Sequence, residues 1–146
     1  MSGNGYVEEV VRTLRANGMK ITPQRVAVLR FLEGNRDHPS VEEIHKAVTR
    51  TFPTISLATI YNTLETLEKV GAVRSVYVGT GRRHYDPETR PHDHVVCVRC
   101  RRIQDVFPEG RRLARIPRTL KTSFSDLSAS VLFQGTCADC GSSSPS

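Results

Sequence analysis

The sequence predicts an α+β chain in two parts: four short helices closed by a hairpin, then a small sheet clipped by cysteines. Three observations carry this. Apolar residues recur with helical period up to Val70 and switch to period 2 after Gly71. All four cysteines, Cys97, Cys100, Cys137 and Cys140, fall in the second part. The segment between the parts, DPETRPHDH, has two prolines and few apolar residues, as a hinge does.

Each element has its own signals. Tyr6, Val7, Val10, Val11 and Leu14 lie at helical spacing, and Asn17-Gly18 ends that helix. Thr22 caps a second helix with Pro23 at its first position, and Val26, Leu29, Phe31 and Leu32 form its apolar side. Ser40-Val41-Glu42-Glu43 is a capping box that opens a third helix through Ile44, Ala47 and Val48, broken by Phe52-Pro53. Ser56 caps a fourth, with Leu57, Ile60, Leu64, Leu67 and Val70 inward. AVRSVYVG then reads as a strand, TGRR as a turn and RHYD as a short return strand. Downstream, Pro117 interrupts the one helical candidate of the second part, RRLARI-PRTLKT, and GSSSPS reads as a disordered tail.

Helices followed by a basic-tipped hairpin describe a winged helix-turn-helix, with the third and fourth helices joined by TFPTI as its core. The fourth helix leads with Ser56, Ala58, Thr59, Tyr61 and Asn62, side chains able to approach base edges, and Arg82 and Arg83 at the hairpin tip are suited to the phosphate backbone. A helical bundle with a polar surface has the same pattern, with Tyr61 as a core residue.

Composition narrows the partners. The 146 residues carry 21 Lys plus Arg against 15 Asp plus Glu, a formal +6, which favours an acidic partner such as nucleic acid. Residues 1–85 hold 12 basic and 8 acidic side chains, so most of the excess sits in the reader. With 38% hydrophobic residues the chain is too apolar to be disordered. No stretch approaches the ~18 apolar residues of a membrane span, and MSGNGYVEEV lacks a secretory signal, so a reducing cytoplasm is expected.

The second part carries metal chemistry. Cys97-Val98-Arg99-Cys100 and Cys137-Ala138-Asp139-Cys140 are two CxxC pairs, each able to present two thiolates to one ion. Two disulfides or a redox dithiol are the alternatives, and the expected compartment opposes disulfides. A four-sulfur iron site has the same ligands as zinc. A second group is His92-Asp93-His94, whose histidines face one side of an extended segment, with Asp86 before it and Asp105 after it. Imidazole plus carboxylate suits iron(II), manganese(II) or zinc. The bland readings are a solvated turn for HxH, a solvated Asp105, a surface His45, and His84 as a neighbour of the ligands on the side of Asp86.

TPQR at Thr22–Arg25, HPSVEEIH at His38–His45, SLATIYNTL at Ser56–Leu64, PHDHVVCVRC at Pro91–Cys100 and the closing CADC together resemble the ferric uptake regulator superfamily, over about residues 6 to 140. The resemblance implies a homodimeric, metal-dependent repressor of palindromic operator DNA. Residues 1–85 would be the winged-helix reader, 86–94 a hinge with metal ligands, 95–141 an α/β dimerisation and zinc domain, and 142–146 a disordered tail. It implies one structural zinc per subunit on the four cysteines. It also implies one regulatory iron(II) or manganese(II) per subunit on His38, Asp86, His92, His94 and Asp105. Lys20, Ser56, Thr59, Tyr61 and Asn62 match DNA-contacting positions.

Peroxide-sensing repressors resemble the chain most, because they use three histidines and two aspartates, whereas iron-uptake repressors usually carry glutamate at the positions of Asp86 and Asp105. The extra site common in iron-uptake members looks degraded: Pro91 replaces its first histidine and the late strand SFSDLSASVLF has none. In the peroxide sensors a ligand histidine is itself oxidised, at positions matching His38 or His92. The alternative within the superfamily is an iron-responsive uptake repressor. A metal-dependent oxygenase lacks a pocket-forming domain and a cofactor fingerprint here. A zinc-ribbon module leaves the first 85 residues without a role.

Overall fold

The computed structural model describes residues 5–79, 81–107 and 116–142. These form two compact units, Met1–Arg90 and Pro91–Ser146.

The first unit contains α1 (Tyr6–Ala16), α2 (Pro23–Leu32), α3 (Val41–Val48), α4 (Leu57–Lys69) and the antiparallel hairpin β1 (Arg74–Val76) and β2 (His84–Asp86), registered with Ser75 opposite Tyr85. The helix ends form as local chemistry dictates. Thr22 Oγ1 accepts from Arg25 N at 3.2 Å. Ser40 Oγ accepts from Glu43 N at 3.3 Å while Glu43 Oε2 accepts from Ser40 N at 2.7 Å, a complete capping box. Ser56 Oγ accepts from Thr59 N at 3.1 Å. At the other ends, α1 and α4 close in Schellman motifs. Gly18 and Gly71 take φ of 68° and 72°, and the next residues bond back, Met19 N to Leu14 O and Ala72 N to Leu67 O, both at 2.9 Å.

Leu14, Val28, Leu29, Leu32, Ile44, Ile60, Leu64 and Leu67 are the fully buried centre of this unit's core. Two helix faces differ from the sequence reading. In α2, Val28 is fully buried, while Val26 and Phe31 only pack against the core. In α4, Leu57 is exposed in the first turn and Thr63 is buried in its place, giving the stripe Ile60, Thr63, Leu64, Leu67. Tyr6 anchors α1 to the hairpin entry by donating its buried hydroxyl to Ala72 O at 2.9 Å.

The second unit has a three-stranded sheet in the order β4-β3-β5, where β3 (Asp93–Cys97) pairs antiparallel with β4 (Ile103–Val106) and parallel with β5 (Leu132–Gly135). Two single-turn helices, α5 (Arg118–Lys121) and α6 (Ala138–Gly141), complete it. Pro117 is the N-cap of α5, and residues 111–115 of the helical candidate lie outside the described residues. The late strand begins only at Leu132, so most of SFSDLSASVLF is irregular. All four β5 residues are exposed. Of the tail, residues 143–146 lie outside the described residues.

Candidate metal centres and nucleic-acid interface

The cysteines occupy two turns. Cys97 ends β3 and Cys100 lies in the turn after it; Cys137 caps α6 and Cys140 lies within it. All four Sγ atoms lie within 4.8 Å of one another, and Cys100 Sγ is 3.8 Å from Cys137 Sγ. A disulfide needs about 2.05 Å, and none of the four cysteines is in one. Zinc–sulfur bonds of about 2.3 Å in a tetrahedron put neighbouring sulfurs about 3.8 Å apart, so the residues fit zinc. Electrostatics agree. Backbone N–H groups of Cys137 and Cys100 pull the Cys97 thiol down to about 5, while donating to the Cys137 and Cys100 sulfurs pushes the Cys140 thiol up to about 12. Four clustered thiols cannot all ionise without a cation among them. Two arginines tie the turns together: Arg102 Nη2 donates to Asp139 Oδ2 at 2.6 Å and Arg99 Nη1 to Cys140 O at 2.9 Å.

The histidines and aspartates come from both units. In the first unit His38 and Asp86 are both buried, with His38 Nε2 3.3 Å from Asp86 Oδ2. Asp86 sits at the end of β2, and its Oδ1 accepts from Glu88 N at 2.8 Å. Glu88 is held in turn by Arg90, whose Nε and Nη2 donate to the two carboxylate oxygens at 2.9 and 2.8 Å. That pairing pulls the Glu88 carboxyl down to about 2. Sequence reading missed Glu88 and Arg90; their signal was the acid–base spacing inside DPETR.

In the second unit His92 and His94 do face one side. Their Nε2 atoms are 3.1 Å apart, and Asp105 Oδ1 on the paired strand lies 3.0 Å from the first and 3.3 Å from the second. The register places His94 opposite Asp105, and the Asp105 side chain is largely buried rather than solvated. Metal–ligand bonds of about 2.1 Å at right angles bring neighbouring donors to about 3.0 Å, so the three atoms fit one face of an octahedral site. Phe107 stacks on His92 at 5.1 Å between centroids, a neighbour that sequence reading missed. Asp93 faces the other way and accepts from Val131 N at 2.8 Å.

On the reader, Lys20, Ser56, Thr59, Tyr61 and Asn62 are all exposed. Tyr61 is 45% exposed, which makes it a surface residue and not part of the core. Ser56 is engaged as the cap of α4, with its hydroxyl 2.8 Å from that of Thr59. Arg83 donates to Tyr77 OH at 2.6 Å and lies over its ring. His45 is half-buried and donates from Nε2 to Ile55 O at 2.8 Å, so it pins the turn between α3 and α4 rather than sitting free on the surface.

Residues 16–129 match the model of the ferric uptake regulator family. The chain belongs to that family. It is 35% identical to the peroxide-responsive repressor PerR of Staphylococcus aureus over 135 residues, 92% of this chain and 90% of that protein. The solved Campylobacter jejuni peroxide stress regulator is 31% identical with a TM-score of 0.65, covering 90% of this chain and 98% of that one. The Helicobacter pylori ferric uptake regulator Fur shares the fold at a TM-score of 0.72 and 23% identity, over 97% and 95% of the two chains. The family comprises metal-dependent transcriptional regulators, not enzymes, which removes the oxygenase reading. The four cysteines of this member are a candidate zinc site, and its histidines and aspartates are candidate ligands for a regulatory metal. No described helix is long and apolar enough to cross a membrane.

Proposed function

We propose that this regulator is a peroxide-responsive repressor. As a homodimer in the cytoplasm it binds palindromic operator DNA while His38, Asp86, His92, His94 and Asp105 together hold one iron(II) or manganese(II). The observation that carries this is the convergence of His92 Nε2, His94 Nε2 and Asp105 Oδ1 at 3.0–3.3 Å, the spacing of right-angled nitrogen and oxygen donors. The His38–Asp86 pair offers the same chemistry at 3.3 Å. Residues 1–85 are the reader, 86–94 the hinge and 95–141 the dimerisation and zinc domain. Exposed Leu120, Phe124, Leu132 and Phe133 supply apolar surface for the partner subunit. Lys20, Ser56, Thr59, Tyr61 and Asn62 face the operator.

A ligand set drawn from both units selects one arrangement of the reader relative to the dimerisation domain, and operator binding tightens metal binding by the same factor. His38, Asp86, His92, His94 and Asp105 would hold the iron(II), which would supply redox chemistry toward peroxide when bound. His38 or His92 is the oxidation site: an imidazole C–H becomes C–OH with one peroxide oxygen, and the other leaves as water. The oxidised ring is a poor ligand, so the DNA is released.

A gel shift on A·T-rich palindromic DNA, with and without manganese, tests the first half. Metal-dependent binding that disappears in His38→Ala, with the zinc and the dimer kept, is expected; binding unchanged in that variant defeats the proposal. Peroxide on the iron form is expected to release DNA with a +16 Da adduct on His38 or His92. An iron form that keeps its DNA under peroxide identifies an iron-responsive uptake repressor instead.

A further inference from the structure

His38 departs from ordinary backbone geometry. Its φ is 53°, in the left-handed region that L side chains adopt reluctantly, and it precedes Pro39, which restricts it further. A conformation of this kind persists only where its surroundings over-determine it. Three contacts from β2 do so. Tyr85 N donates to Pro39 O at 3.0 Å. Ser40 forms an isolated bridge with His84. His84 Nδ1 lies 2.8 Å from His38 O, joining positions 46 residues apart. A carbonyl only accepts, so His84 Nδ1 carries the hydrogen and donates it.

His84 and Asp86 are two apart on β2 and share a side of the strand. The two side chains meet the same residue from that side: Asp86 lies against the His38 imidazole, and His84 binds its carbonyl. We infer that His84 is a positioning residue that fixes the His38 loop, so that the imidazole is presented to the regulatory metal beside Asp86. The metal part of this inference rests on the function proposed above. Groups that orient a metal ligand commonly change affinity by about 10- to 100-fold when removed.

The test titrates manganese(II) alone into wild-type, His84→Ala, His84→Asn and His84→Asp proteins, with His38→Ala as reference. Amide exchange at Tyr85 is read in each metal-free protein. An asparagine amide nitrogen sits where the histidine Nδ1 does and donates the same bond; an aspartate oxygen there only accepts. Expected are a loss of manganese affinity of about 10-fold or more in the Ala and Asp variants, recovery to within about 3-fold in Asn, and zinc content unchanged throughout. Tyr85 exchange speeds up in Ala and Asp but not in Asn. Wild-type manganese affinity in His84→Ala overturns the inference. So does an Asn variant as weak as Ala, since it identifies a metal ligand in place of a positioning group. If wild type and His38→Ala are equally weak, the metal-site reading fails; Tyr85 exchange then decides the loop role alone, and unchanged exchange in His84→Ala overturns it.

Discussion

The Sγ atoms of Cys100 and Cys137 stand 3.8 Å apart, each belonging to a different CxxC turn. The sheet they close has few buried apolar side chains, Val96 and Ile103 chief among them. Among the described residues that burial is small for a unit of this length, so zinc on the four cysteines is expected to contribute much of its stability. Cys137→Ser is expected to lose zinc and melt the second unit, while the helices of the first unit persist. Zinc per chain and the loss of sheet signal in circular dichroism check this; a folded sheet without zinc would contradict it.

Tyr6 ties α1 to Ala72 through a buried hydroxyl, and burial raises its pKa well above 10, with Glu33 and Asp86 adding to the effect. A group whose folded pKa is raised keeps its full contribution below the unfolded value and loses it as pH climbs. Stability should therefore fall above about pH 10. Tyr6→Phe should flatten that alkaline limb and cost about 1–3 kcal/mol at neutral pH, because Ala72 O is left unsatisfied. Denaturant melts across pH measure both.

Ser40 works in two directions, as cap of α3 and as neighbour of the His38 loop. Ser40→Ala should cost about 1 kcal/mol in unfolding free energy. A loss far below that, in a urea melt with unchanged m, would mean that the capping box is redundant.

Asp105 meets both imidazoles of its group. Asp105→Asn keeps the shape but removes the charge a dication needs. Manganese affinity should fall by about 10-fold or more while zinc content stays the same. Equal manganese binding in a calorimetric titration would place the metal elsewhere.

On the reader, Lys20 and Tyr61 should separate in a salt series. Lys20→Ala is expected to weaken every DNA alike and lower the salt slope by about 0.9. Tyr61→Ala should instead erode discrimination between operator and random DNA with the slope kept. Fluorescence anisotropy at several salt concentrations distinguishes them.

What was legible in the sequence acts over short distances. Thr22, Ser40 and Ser56 cap through bonds to residues three positions on, and Gly18 and Gly71 close helices through their own φ, so local spelling was enough. The candidate zinc ligands stood out because two CxxC pairs are distinctive, whereas HxH also suits a solvated turn and His38 was matched only through the family resemblance. Thr63 was passed over because polarity was weighed above its place in the i, i+3, i+4 stripe, whereas Leu57 was assigned inward although the first turn of α4 is exposed. Contacts spanning long stretches of chain were not legible. His84 to His38 and Asp93 to Val131 join residues 46 and 38 positions apart, and only the folded register brings them together.

The two CxxC turns enclose residues 101–136, which include β4, α5 and β5. With zinc bound, a protease cut anywhere in that span severs the chain without separating it. Cys97 and Cys100 on one fragment and Cys137 and Cys140 on the other remain fastened to the same ion. Nicked protein should thus run as one species under native conditions and fall into two fragments when a chelator is added under denaturing conditions. In this family member a zinc on the four cysteines would take over a task that peptide bonds ordinarily perform.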